Sequence, residues 1–249
     1  MSQERVDRVF HGDGEVKPFE FNENVAHVFD DMAERSIPWY REVQRMVTTL
    51  GVTFFKPGSR IYDLGCSTGT TMALLAQAFE ERGVDDYRLM GVDNSEPMCR
   101  EAREKLGKSP ASPDRWTVDC NDLESYPIEN ASVVVMNYTL QFVDPLAREE
   151  LMGKIYRGLN HNGVLLISDK TQQSHTDTSR IFMDNYYHMK RQNGYSEMEI
   201  SRKREALENV LIPYTVEEEK ELFRQSGFEA VDLFFTWFNF SSFICMKKG

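Results

Sequence analysis

Cysteine is sparse in this chain and never paired. Cys66, Cys99, Cys120 and Cys245 are scattered through 249 residues, with no CxxC among them. That pattern argues against a disulfide framework and a zinc knuckle, and the thiols are expected to be reduced. The five histidines show no HExxH spacing, so no metal site is expected. No apolar run approaches the roughly 20 residues that span a bilayer. The opening "MSQERVDRVFHGDGEV" lacks the apolar centre of a secretion signal. Neither membrane insertion nor export is expected, and the expected location is cytoplasmic. Basic residues are the minority, 29 Lys and Arg against 40 Asp and Glu, for a net charge of -11. Proteins that grip nucleic acid do so largely by neutralising phosphates. The acidic balance points instead to a small-molecule substrate, with no direct nucleic-acid partner. Internal repeats, low-complexity tracts and the GxGxxG signature of a dinucleotide fold are also missing.

What is present is an alternation of strand and helix patterns. The first 20 residues are polar and expected to be loose. Residues 21–57 read as one or two helices broken at Pro38. "RIYDLGC", "YRLMGVD", "RWTVDC", "ASVVVMNYTLQFV" and "GVLLISDK" then read as five strands. "TTMALLAQAFEERG", "SEPMCREAREKLG" and "LAREELMGKIYRGLN" read as intervening helices. Ser95 is a candidate N-cap, with Pro97 in the first turn. Such alternation implies a parallel sheet covered on both faces. A mostly helical stretch, 171–213, interrupts it before "TVEEEKELFRQSGF" resumes the pattern. "EAVDLFFTWFNFSSFICMKK" reads as two strands that close the sheet as an antiparallel pair. The expectation is one α/β domain over residues 21–249, with the 171–213 stretch as an insert after the fifth strand.

The most informative motif is "IYDLGCSTGT". An acidic residue ends a strand, and Gly65 and Gly69 follow where the chain must turn tightly and let a ligand approach the backbone. D-x-G-x-x-x-G resembles motif I of class I S-adenosylmethionine-dependent methyltransferases, with Ser67 in place of the commoner middle glycine. A carboxylate at Asp93, ending the second strand, can accept both ribose hydroxyls. Asp122 can accept from an adenine amino group, with Leu123 against the ring, and Asn137 ends the fourth strand at the ligand-binding edge. Four such residues at four successive strand ends imply a Rossmann-like adenosylmethionine fold.

Longer stretches carry a more specific resemblance. "FNENVAHVFDDMAERSIPWY", "YDLGCS", "GVDNS", "IENASVVVMNYTLQFV", "KIYRGLNHNG", "KRQNGYSEMEIS", "ALENVL" and "FNFSSF" together resemble the carboxy-S-adenosyl-L-methionine synthase family, from about Phe21 to the C-terminus. The resemblance implies that S-adenosyl-L-methionine and prephenate are substrates. The products would be carboxy-S-adenosyl-L-methionine, phenylpyruvate and water, the first of these serving wobble-uridine modification of tRNA by a separate enzyme. It implies a homodimer, and residues 21–57 as a helical lid. It also implies ligand contacts at Tyr40, Gly65, Cys66, Ser67, Asp93, Asn94, Asp122, Leu123, Asn137 and Arg204, with Tyr40 and Arg204 closest to the chemistry. Two departures stand out: Tyr186 and Tyr187 occupy positions where some members have histidine, and the loop after Gly65 reads "CSTGTTM". His188 beside them reads as a surface or core residue. Two other readings share the nucleoside motifs: a methyltransferase acting on a small molecule or tRNA, and a catalytically silent adenosylmethionine-binding subunit.

A product with a carboxylate beside a sulfonium calls for a cation, and arginine binds carboxylate with a planar fork. "SEMEISRKREALENVLIP" supplies three candidates, Arg202, Lys203 and Arg204. Ser196 and Glu199 form an S-x-x-E capping box, and Pro213 limits the helix. Ile200, Leu207 and Leu211 make a helical stripe. Arg204 points with that stripe, Lys203 flanks it on the other side, and Arg202 lies opposite as a solvated charge. The helical wheel does not choose between Lys203 and Arg204; the family resemblance selects Arg204. Without it, a salt bridge from Arg204 to Glu208 is the simpler reading.

Overall fold

Runs of β-branched and aliphatic residues, bounded by turn formers, fold into strands, those at the centre of the sheet buried on both faces. In the computed structural model, which describes residues 5–12 and 14–249, these are β1 (Arg60–Leu64), β2 (Arg88–Asp93), β3 (Trp116–Cys120), β4 (Ala131–Asn137), β5 (Leu159–Lys170), β6 (Ala230–Trp237) and β7 (Phe240–Met246). They form one sheet in the order β3-β2-β1-β4-β5-β7-β6. β1 to β5 pair in parallel, while β7 is antiparallel to both β5 and β6. The expected α/β class and its antiparallel closing pair are both present.

Side chains alternate across this sheet with the period of two that a strand imposes. Ile61, Val133, Val135, Val164 and Leu166 face α2 (Tyr40–Phe54), α3 (Thr70–Glu81) and α4 (Glu96–Leu106). Tyr62, Leu64, Val134, Met136, Leu165 and Ile167 face α5 (Arg148–Gly158) and α8 (Val216–Gln225). Both faces are thus apolar, and the carboxyl ends of the strands share one edge.

The N-terminal segment crosses that edge. Asn22 caps α1 (Glu23–Ser36) by accepting from the Val25 N–H at 3.3 Å. Ile37 is extended, as the residue before a proline must be, and Trp39 turns the chain with φ 55° into α2. Part of the stretch expected to be loose is held. The Asp7 carboxylate is buried and accepts from the Tyr195 hydroxyl at 2.5 Å, and the Phe19 N–H donates to the Ala206 carbonyl at 2.8 Å. Within that stretch, residues 1–4 and 13 lie outside the described residues.

After β5 come α6 (Thr176–Gln192) and α7 (Glu197–Ala206). The capping box of Ser196 and Glu199 opens α7 as its sequence requires. The helix stops at Ala206, well short of Pro213, and Asn209 takes a left-handed turn at φ 61°. The stop has a tertiary cause. Buried Arg148 donates from Nη2 to the Ile212 carbonyl at 2.8 Å, and the Ile212 N–H donates to the Gln141 carbonyl at 2.9 Å. The chain after α7 is thereby drawn back onto the sheet edge.

Candidate active site

The strand ends, α1, α2 and the insert enclose a cavity of about 240 Å³. Its floor is the loop after β1. Gly65 has φ 75°, and its N–H donates to the Val92 carbonyl at 2.8 Å. A Cβ at this position would overlap the Thr139 side chain. Ser67 also has a left-handed backbone, φ 47°, which explains why glycine is the commoner residue there. Its N–H donates to Asp93 Oδ2 at 2.9 Å, and the Ser95 N–H donates to Oδ1 at 2.9 Å. Burial pushes the Asp93 carboxyl up against the pull of these two donors.

Asp63, at the end of β1, is buried beneath the same loop. Burial, and then the neighbouring Asp93 charge, push its carboxyl up to about 7, and its Oδ2 has no hydrogen-bond partner. At the end of β4, Asn137 Nδ2 donates to Thr71 Oγ1 at 3.2 Å, while its Oδ1 is also unpartnered. Two orphaned acceptors lining one cavity are placed to receive donors from a ligand. The Cys66 thiol is buried and pushed well up by burial, so it packs rather than reacts. Asn94 and Leu123 complete the wall at the β2 and β3 ends. Asp122 stands behind that wall, exposed, with the Asn94 amide donating to its Oδ1 at 3.4 Å.

From the other side, Tyr40 enters at the start of α2. Its hydroxyl accepts from Gln44 Nε2 at 3.0 Å, and burial pushes the phenol up, leaving it a neutral hydroxyl. Gln44 Oε1 accepts in turn from Thr71 Oγ1 at 3.0 Å. The chain Tyr40–Gln44–Thr71–Asn137 therefore ties the N-terminal helices to β4. Gln44 is one turn after Tyr40 on an amphipathic helix, and that spacing was the available signal for it.

The cations of α7 distribute differently from the sequence expectation. Arg204 is exposed, and it does not line the cavity of its own chain. Lys203 is buried, lines the cavity, and donates to Ser36 Oγ at 2.9 Å. Arg202 is half-buried and donates to the Gly14 carbonyl at 2.6 Å, so it is not a free surface charge. The reason lies in the stripe used to orient the helix. Leu207 is only the cap residue and Leu211 lies beyond it, while Glu199, Ile200, Lys203 and Ala206 form the buried face. At about 100° per residue, Glu199 and Ala206 rotate that face toward Lys203 and away from Arg204. Tyr186 is buried and lines the cavity, Tyr187 is half-buried, and His188 is exposed.

Lys170, at the end of β5, also lines the cavity, as does Tyr138, whose buried hydroxyl has no partner. Neither belongs to the sequence expectation. The strand-end argument that selected Asp93 and Asn137 applies equally to Lys170 and was the signal available for it.

Comparison with known proteins gives the family and the fold. Residues 61–163 match the family model described as a methyltransferase domain. The carboxy-S-adenosyl-L-methionine synthase of Desulfotalea psychrophila is 42% identical over 98% of this chain and 98% of its own. That of Methylococcus capsulatus is 44% identical over 92% and 93%. The chain belongs to the carboxy-S-adenosyl-L-methionine synthase family. Its members are enzymes, and the match runs through the insert and the closing hairpin as well as the nucleoside half. Solved structures support the fold alone. An O-methyltransferase family protein from Burkholderia thailandensis superposes with a TM-score of 0.66 at 18% identity, over 94% of this chain and 65% of that one. Magnesium protoporphyrin IX methyltransferase from Synechocystis gives 0.59 at 16%, over 97% and 92%.

Proposed function

We propose that the protein binds S-adenosyl-L-methionine in this cavity and combines it with prephenate to form carboxy-S-adenosyl-L-methionine. The ring carboxyl carbon leaves prephenate as carbon dioxide and bonds to the S-methyl carbon. That methyl loses one proton, and the hydroxide expelled from the prephenate ring takes it up as water. Phenylpyruvate remains. No dedicated protein base is required, so the residues bind, orient and exclude water.

The observation that carries this reading is the convergence of Gly65, Asp93 and Asn137 on one cavity, in a chain 42% identical over 98% of its length to a carboxy-S-adenosyl-L-methionine synthase. Asp93 suits the ribose hydroxyls, Leu123 the adenine face and Asn94 its rim. The orphaned Asp63 and Asn137 oxygens suit the donors of the amino-acid end, with Tyr40 and Gln44 closing over it. Asp122, behind Asn94, acts on the adenine end through that neighbour or through a small side-chain rotation.

Arg204 is the proposed partner for the product carboxylate. Its exposure on its own chain supports a homodimer in which it completes the neighbour's cavity. The acidic composition supports a role confined to making the small molecule in the cytoplasm's pool of metabolites rather than gripping RNA, a separate enzyme transferring the carboxymethyl group to the tRNA wobble uridine.

The test is incubation with adenosylmethionine and prephenate, read by mass spectrometry. The expected products are phenylpyruvate and a nucleoside heavier by one carbon dioxide. Intact prephenate with methyl appearing on RNA or a small molecule would establish the methyltransferase reading. Tight adenosylmethionine binding without any turnover would establish the silent subunit.

A further inference from the structure

Three lysines, one strand end and two helices of the insert, converge at one end of the cavity. Lys170 closes β5, Lys190 lies in the last turn of α6, and Lys203 lies on the buried face of α7. Two tyrosine rings hold them together. The Lys170 and Lys190 ammonium groups lie 5.2 Å and 5.1 Å from the Tyr186 ring centre. Those of Lys190 and Lys203 lie 5.5 Å and 5.7 Å from that of Tyr195. Lys190 and Lys203 are buried, and Lys170 and Lys203 line the cavity.

Charges of this kind normally carry a counter-ion. Among the described residues the lysines paired with carboxylates are Lys105 and Lys108, both elsewhere. The carboxylates near the cluster are Asp7 and Asp31. Asp31 is paired with Arg35 at 3.2 Å, and Asp7 already accepts from Tyr195 and from the Val9 N–H. Asp7 therefore offsets Lys190 and Lys203 only in part, and among the described residues no carboxylate pairs with Lys170. Burial lowers Lys170 to about 8; burial, partly offset by Asp7, does the same for Lys203; and burial together with the other two lysines lowers Lys190 further. The fold tolerates an uncompensated positive charge at the edge of a cavity, which is the signature of an anion site.

Position separates this end from the nucleoside end. β5 lies three strands from β2 in the sheet order, so Lys170 is roughly 14 Å across from Asp93 at about 4.8 Å per strand. The reacting methyl would lie between them, over Asp63 and Asn137. The lysine end is therefore beyond the nucleoside, where a second substrate must enter.

We propose that Lys170 and Lys203 bind the carboxylate that the second substrate keeps through the reaction, with Lys190 behind them as a positioning residue. This rests on the function proposed above. Chemistry assigns which carboxylate. Ammonium groups on the departing carboxylate would stabilise the ground state and oppose its loss. The same groups on the 2-oxo acid carboxylate, which phenylpyruvate retains, hold the substrate without that cost, by charge-assisted hydrogen bonds.

The experiment titrates phenylpyruvate, as a stable probe, into the adenosylmethionine-saturated protein by calorimetry. Prephenate KM and adenosylmethionine Kd are measured alongside, for wild type, Lys170→Gln and Lys203→Gln. The expected result is a loss of ten-fold or more in phenylpyruvate affinity, a matching rise in prephenate KM, and an adenosylmethionine Kd within two-fold of wild type. Lys170→Gln should also melt no lower than wild type, since a charge with no carboxylate partner has been removed; this separates a binding role from a structural one. Unchanged phenylpyruvate affinity overturns the subsite. A larger loss of adenosylmethionine than of phenylpyruvate affinity also overturns it, reassigning the lysines to the amino-acid carboxylate. Lysine-dependent phenylpyruvate binding in a protein that consumes no prephenate would uphold the subsite and sink the proposed reaction. Turnover with a lysine-independent prephenate KM would do the reverse.

Discussion

The Ser67 backbone N–H donates to Asp93 Oδ2 over 2.9 Å, so the loop after β1 and the end of β2 share one carboxylate. With the Ser95 N–H on Oδ1, this carboxylate organises the loop that a nucleoside would rest on. Asp93→Ala should weaken adenosylmethionine binding by roughly 1.5–3 kcal/mol for each charge-assisted hydrogen bond lost. Calorimetry reads this directly, and an unchanged Kd would take Asp93 out of the site.

The same loop offers two substitutions of opposite sign. Gly65→Ala meets both a left-handed backbone and the Thr139 side chain, and should cost at least about 2 kcal/mol. Ser67→Gly relieves φ 47° and should stabilise by up to about 1 kcal/mol. Urea unfolding measures both. Equal shifts in the same direction would mean that backbone strain does not decide the choice of residue here.

Asp63 gives a pH signature. Its carboxyl is pushed up to about 7, first by burial and then by Asp93, with the neutral Cys66 thiol and Tyr40 phenol as further titratable neighbours. A cationic ligand favours the ionised form and draws that value down, so binding should release protons at about pH 6.5. At about pH 9 the carboxyl is ionised before binding, and its share of the release disappears. Calorimetry in buffers of different ionisation enthalpy counts these protons, and the difference between wild type and Asp63→Asn isolates the carboxyl. Identical counts for the two proteins would show that Asp63 does not face the ligand's charge.

Arg204 is exposed on its own chain, which makes its subunit of action testable. Arg204→Ala should abolish the preference for the carboxylated nucleoside while leaving adenosylmethionine binding largely intact. Arg204→Lys should restore little, since an ammonium lacks the planar fork. Mixing Arg204→Ala chains with chains disabled at Asp93 should restore activity, because one cavity in the mixed dimer is then intact. Absence of recovery, with subunit exchange verified, would place Arg204 in its own chain's site.

The helix of the insert shows where reading the sequence stops. Its start was legible, because a capping box is a local device: Ser196 and Glu199 satisfy each other's backbone N–H groups without outside help. Its end and its buried face were not. Arg148, more than 50 residues earlier, and Gln141 hold Ile212 by its carbonyl and its N–H and pull the chain out of the helix. The wheel therefore turned on Leu207 and Leu211, which are not in it, and directed Arg204 inward where Lys203 goes.

The sequence by itself determined the α/β class, the strand edge that lines the cavity and the residues at the ends of β1, β2 and β4. Period-two burial, glycine at forced turns and acids at strand ends are each written within a few residues. Tertiary structure alone decided that Lys170 and Lys203 share one end of the cavity with Lys190 behind them, that Asp7 reaches Tyr195, and that Tyr40 connects through Gln44 and Thr71 to Asn137. Such groups are far apart along the chain. Their charges and hydrogen bonds are matched only once the sheet order and the returning insert have brought them within a few ångströms.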